Sequence, residues 1–349
     1  MIMMKKIIEM NEQLEIEIRQ ASDIPGIDCL DPRVKKELIQ MSKAEQKDSG
    51  EVKTLEDIRK DMGGFNYNLN SVEIYTKYIE IETPYKPVPV WMYYPRKLQE
   101  NGPALIYVHG GGFLGGSPFA VENQCRLIAE RANCVVWNVD YALAPEYAYP
   151  AAVEQIYKAL SQLWNEAEDY MTDRSRIYIA GDSAGGSHAA VVAMMDRDQS
   201  THYLAGEIFL YGKFTFVNEG LTGYARDLGA FHLNKEEKEY LPILTAIGSD
   251  EANEGDAAVY IQGRCGLTEP YASPAFGNKT GLPRTLLIQA EYDGLRLEGE
   301  FYGKQLLKAR VPVKMIQYRG VNHAFFDKLG ILPQAEDAVD AIAAFIIEK

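Results

Sequence analysis

Glycines at 181 and 185 frame Asp182-Ser183-Ala184, directly after the apolar run 176–180 and directly before a helix-favouring stretch. A strand that turns at once into a helix brings its two limbs so close that a side chain at either glycine position would collide. The same turn forces the residue at its tip, Ser183, into a strained conformation that presents the hydroxyl outward, above the positive end of the following helix. A G-x-S-x-G pattern is weak when it stands alone, since glycine-rich turns before helices are often ordinary structure. Its weight comes from what surrounds it.

Short apolar runs at 104–108, 134–139, 176–180, 207–211, 285–289 and 313–318 read as strands buried on both faces. Helical stretches at 119–131, 151–166, 184–197, 297–309 and 334–347 separate or follow most of them. Alternating runs at 72–82 and 88–94, parted by a proline-containing turn, predict an antiparallel hairpin. Together they predict an α/β fold: a mostly parallel eight-stranded sheet with right-handed crossovers and helices on both faces.

Two segments fall outside that rhythm. Residues 1–71 read as polar and helical. Asp31-Pro32 is placed to cap a helix over 34–46, and Thr54 with Asp57 resembles a capping box for a helix that runs to Met62 and stops at Gly63-Gly64. Residues 214–265, about 50 in number, are too long for a loop within a compact domain and predict an inserted lid with amphipathic pieces such as 233–244. The expected division is an N-terminal helical cap segment over 1–71, a catalytic core over 72–213 and 266–349, and a cap insertion over 214–265.

With 349 residues, 46% of them hydrophobic, the chain can bury one large α/β core or two modest ones. It has no run of eighteen apolar residues, so no membrane span is expected. Met1-Ile-Met-Met-Lys-Lys6 runs on into Glu9, Glu12, Glu15 and Glu17, unlike a signal peptide. Cys29, Cys125, Cys134 and Cys265 are scattered, which predicts free thiols in a reducing cytoplasm and neither metal ligands nor disulfides. A net charge of −14 argues against nucleic acid and anionic lipid as partners. Walker and dinucleotide glycine patterns are absent, and no cofactor or metal is expected.

A serine hydroxyl becomes a nucleophile when a base takes its proton and a third group orients the base. Asp293 follows the run 285–289 and His323 follows 313–318, so the order Ser183, Asp293, His323 resembles the chain order of α/β-hydrolases, each residue past the end of a strand. His188 lies down the helix from Ser183, and His202 and His232 follow no strand of the sheet. Glu291 rivals Asp293 as the acid. His109-Gly110-Gly111-Gly112-Phe113 stands immediately after the run 104–108, where glycine N–H groups can turn unobstructed toward a developing oxyanion.

These motifs, with Asp140-Tyr-Ala-Leu-Ala-Pro-Glu146, Ser273-Pro274 and Asp293-Gly-Leu-Arg296, resemble the hormone-sensitive lipase family of α/β-hydrolases, and within it the bacterial acetyl-esterase-like carboxylesterases. The resemblance runs from about residue 72 to the C-terminus. It implies an oxyanion hole from the N–H groups of Gly111, Gly112 and Ala184, a structural role for His109, and a cap built from the N-terminal segment and the 214–265 insertion. The chain departs from the family pattern at Ala142 (arginine there), at Gly294 (proline or valine) and at Leu297 (an acid). The implied activity is a cofactor-independent serine carboxylesterase acting on a small-molecule ester with a short, acetyl-like acyl chain. A serine amidase would use the same machinery, a non-catalytic binder would lack part of it, and assembly into a homo-oligomer stays open. Phe113, Tyr211 and Phe214 either line the pocket mouth or pack in the core.

Overall fold

A computed structural model describes residues 2–45 and 54–348, so the last residue of the helix expected over 34–46 lies outside the described residues. The strands are β1 (Met4–Asn11), β2 (Leu14–Ala21), β3 (Ile74–Ile81), β4 (Val88–Pro95), β5 (Gly102–Val108), β6 (Val135–Val139), β7 (Thr172–Asp182), β8 (Leu204–Leu210), β9 (Arg284–Tyr292) and β10 (Val313–Asn322). They form one sheet in the order β1-β2-β10-β9-β8-β7-β5-β6-β4-β3. From β2 through β6 the strands run parallel, while β1, β4 and β3 are antiparallel to their neighbours.

The helices are α1 (Pro32–Glu45), α2 (Leu55–Asp61), α3 (Glu122–Ala132), α4 (Ala151–Asn165), α5 (Ala184–Asp198), α6 (Leu241–Leu244), α7 (Asp250–Tyr260), α8 (Arg296–Lys308) and α9 (Pro333–Ile347). Every residue of β5 is buried, and its alternate side chains serve two separate cores. Leu105 and Tyr107 join the core under α3 and α9, while Ala104, Ile106 and Val108 join the one under α4, α5 and α8. A strand covered on both sides reads as a near-continuous apolar run, although Asn138, Glu207 and Gln289 are polar and buried in these strands. No helix among the described residues is long and apolar enough to cross a membrane.

The N-terminal segment differs from its expected helical character. Residues 4–21 form a hairpin that adds β1 and β2 to the eight core strands, making ten. Leu14, Ile16 and Ile18 are buried at a spacing of two with Glu15 and Glu17 between them, a strand period. Helical structure begins only at α1, where Asp31 accepts the Arg33 N–H at 2.9 Å. The Thr54–Asp57 capping box opens α2 as expected. In the insertion, the amphipathic stretch 233–244 yields only a turn and the four residues of α6, and the longer helix is α7, capped by Ser249.

Candidate active site

The C-terminal ends of β5, β7, β9 and β10 lie along one edge of the parallel sheet, and the loops leaving them build the site. Ser183 sits between β7 and α5 at φ +52°, a conformation that side-chain-bearing residues avoid. The turn explains its glycines. A Cβ at Gly181 would stand 2.3 Å from the Gly185 carbonyl oxygen, and one at Gly185 would stand 2.1 Å from that of Val108. The Ser183 N–H donates to the Leu210 carbonyl at 2.9 Å, tying the tip of the turn to β8.

Ser183 Oγ lies 2.9 Å from His323 Nε2, and His323 Nδ1 lies 2.7 Å from Asp293 Oδ2. The other Asp293 oxygen accepts the Leu295 N–H at 2.8 Å, and the carboxylate is wholly buried. Burial alone would lower the His323 pKa, but the Asp293 charge and hydrogen bond, with the Asp327 and Asp182 charges, raise it, and the net shift is upward. Glu291 points elsewhere: it accepts the Gly320 N–H at 2.8 Å and faces Arg319, and burial pushes its pKa up to about 7. It braces β9 against the β10 irregularity between Tyr318 and Asn322, on the approach to His323.

The glycine loop is pinned from beneath. Asp182 Oδ1 accepts both the Tyr107 hydroxyl and the Gly110 N–H at 3.0 Å. His109 stacks on Tyr141 with ring centroids 4.4 Å apart, and burial lowers its pKa to about 4, so it stays neutral. Gly111 and Gly112 both adopt positive φ, +129° and +58°. Arg59 of α2 donates to the Leu114 and Ala144 carbonyls and pairs with Glu146, so the cation on this loop comes from the N-terminal segment, while Ala142 is a buried alanine. The departure at Gly294 has a steric reason: a Cβ there would lie 1.9 Å from the Ile247 carbonyl oxygen of the insertion.

Above Ser183 is a cavity of about 290 Å³. Ser183, Ala184, Gly111, Gly112, Phe113 and His323 all line it. Asp293 sits behind His323. The sequence assigned no site role to Met62 or Leu295 and did not single out Lys213, Ile247, Asp256 or Asp327, all of which line the cavity. Lys213 is buried and pairs with Asp256 at 3.1 Å, and Asp327 is raised by burial and by the nearby Asp182 charge. Of the three aromatics, only Phe113 lines the cavity, stacked on Tyr260 of α7 at 4.4 Å. Tyr211 is buried edge-on to His323 at 4.9 Å, and Phe214 is buried against Tyr302 at 4.1 Å. Their positions past β8 say which strand end they follow but not on which side of the chain they turn. His188 is buried among Phe113, Tyr141 and Tyr260, whereas His202 and His232 are exposed.

A family model described as the alpha/beta hydrolase fold matches residues 105–327. The chain is 32% identical over 267 residues to an esterase of Mycobacterium tuberculosis named LipI, covering 75% of this chain and 78% of that one. It is 28% identical over 291 residues to an acetyl esterase of Salmonella enteritidis, covering 81% and 83%. Among solved structures, a hyperthermophilic esterase from the archaeon Pyrobaculum calidifontis is similar with a TM-score of 0.76 and 30% identity, over 91% of this chain and 98% of that one.

Proposed function

Starting from the fact that this chain belongs to the alpha/beta hydrolase fold family, in its hormone-sensitive lipase-like branch, and is a carboxylester hydrolase, we propose that Ser183, His323 and Asp293 carry the reaction on short-chain acyl esters. The observation that carries this reading is the unbroken hydrogen-bond chain from Ser183 Oγ through His323 to the buried Asp293.

Ser183 Oγ attacks the ester carbonyl while His323 Nε2 takes its proton, and Asp293 holds the Nδ1 proton and stabilises the imidazolium. The N–H groups of Gly111, Gly112 and Ala184 receive the oxyanion. The positive φ of both glycines and the helix N-terminus at Ala184 support that assignment. His323 then protonates the leaving alcohol, and water enters along the same route to hydrolyse the acyl-enzyme.

The acyl-chain reading rests on the size of the cavity. At about 290 Å³ it lies at the lower end of ordinary ligand pockets. Met62 and Gly63 at the end of α2, with Ile247, Ala252 and Asp256 of the insertion, are proposed as the cap that closes it. Residues 1–71 and 214–265 are thus proposed to contribute the cap, apart from the sheet hairpin, over a core of 72–213 and 266–349. Free Cys29, Cys125, Cys134 and Cys265 suit a cytoplasmic location.

A series of p-nitrophenyl esters tests the reading. Acetate through hexanoate are expected to be the best substrates, with kcat/KM falling by about tenfold or more by decanoate, whose chain outgrows the cavity. Equal rates across the series would contradict it. An acetanilide run beside the acetate ester separates the amidase reading, which requires comparable turnover of the anilide.

A further inference from the structure

The β1 edge of the sheet carries an unusual load for a free strand. Ile7, Ile8 and Met10 are 48%, 54% and 61% exposed. Edge strands with exposed apolar residues are templates for pairing with another strand. The Ser22 N–H donates to the Met3 carbonyl at 2.9 Å, and the β1–β2 register continues that pairing. Backbone groups alternate along an antiparallel ladder, so odd-numbered residues of β1 turn theirs to β2, and Met4, Lys6, Ile8 and Met10 turn theirs to the open edge.

We propose that β1 pairs antiparallel with β1 of a second copy of this chain about a two-fold axis at Ile7, making a homodimer with one continuous twenty-stranded sheet. A two-fold axis normal to the sheet keeps each side chain on its own face, so opposed residue numbers must sum to an even value. Centring on Ile7 sets Ile7 against its own copy and Lys5 against the partner's Glu9, twice by symmetry. On the other face Met4 meets the partner's Met10, and Lys6 meets the partner's Ile8.

Neighbouring registers are worse. Centring on Lys6 opposes two lysines, and centring on Ile8 opposes Ile7 to Glu9 and leaves both lysines without a carboxylate across from them. Glu9 gives one oxygen to Arg319 at 2.6 Å, which leaves the other for a lysine from across the edge. Among the described residues Lys5 makes no ion pair within its own chain. The two-fold axis points the catalytic edges of the two copies in opposite directions, so neither site borrows a residue from its partner.

The test is sedimentation equilibrium on the full chain, with esterase activity and thermal melting as controls for folding. The unmodified chain is expected to run at twice the 39.2 kDa chain mass. Ile8→Pro removes an outward N–H while sparing the bonds to β2, and is expected to raise the dimer dissociation constant by about tenfold or more at unchanged activity. Ile7→Cys places two thiols at a non-hydrogen-bonded pair about 4.5 Å apart at Cα, within disulfide reach, and is expected to give a covalent dimer on mild oxidation. Met10→Cys and the unmodified chain with its four cysteines are not. A monomeric unmodified chain overturns the proposal. So does a dimer that Ile8→Pro leaves intact and Ile7→Cys fails to cross-link.

Discussion

Replacing Ser183 with alanine is expected to lower kcat by about 10⁶-fold while leaving the fold intact, the scale seen when the nucleophile of a serine hydrolase is removed. The side chain is small and the strained φ of +52° at position 183 belongs to the turn, so alanine keeps the packing around Gly181 and Gly185. His323 would still meet Asp293 at 2.7 Å, but nothing would attack the carbonyl. The check is single-turnover and steady-state hydrolysis of p-nitrophenyl acetate beside a melting curve. Retention of near-full activity would remove Ser183 from the mechanism.

Asp293→Asn is the second large effect, expected at about 10⁴-fold in kcat, because an amide favours the wrong histidine tautomer and withdraws the charge that stabilises the imidazolium. It carries a pH signature as well. His323 must be neutral to accept the serine proton, so activity falls as pH drops through its pKa. In the unmodified chain the Asp293 charge and hydrogen bond, joined by the Asp327 and Asp182 charges, overcome burial and raise that pKa, which moves the acid limb of kcat/KM to higher pH than an unperturbed histidine would give. In Asp293→Asn burial acts unopposed by that charge, and the limb moves to lower pH. Glu291→Gln removes the charge of the neighbouring carboxylate, which contacts Gly320 and Arg319 but not His323, and is the control: its acid limb is expected to stay in place. A limb that shifts in Glu291→Gln and not in Asp293→Asn would exchange the two acids.

The candidate site was legible in the sequence because its parts obey local rules. Each of Ser183, Asp293 and His323 follows a buried apolar run, and such runs announce parallel strands whose C-terminal ends meet at one edge. Glycines at 181, 185, 111 and 112 mark the places where backbone passes too close, or turns too far, for a side chain. The sequence favours Asp293 with Glu291 as its rival two residues earlier, and the contacts that distinguish them, His323 for Asp293 and Gly320 for Glu291, are long-range.

The proposed cap was less legible for a physical reason. Its contacts are long-range: Arg59 reaches Glu146, Ile247 closes on Gly294, and Tyr260 stacks on Phe113. None of these pairings has a periodic signature along the chain. The N-terminal hairpin did have one, the alternation Leu14, Ile16, Ile18, and the charged residues between them masked it as a polar helical segment. Lys213 was silent for a similar reason, because a lone lysine past a strand end looks solvent-exposed until Asn253 and Asp256 of α7 cover it.

On the proposed mechanism one serine, activated through His323, is the nucleophile. Titration with diethyl p-nitrophenyl phosphate counts such serines, since each one that reacts releases one p-nitrophenolate and keeps one diethylphosphoryl group. The expected result is one equivalent released per chain, complete loss of esterase activity, a single adduct on the peptide that carries Ser183, and no rapid release from Ser183→Ala. Rapid release from Ser183→Ala, or an adduct on any other residue, would contradict it.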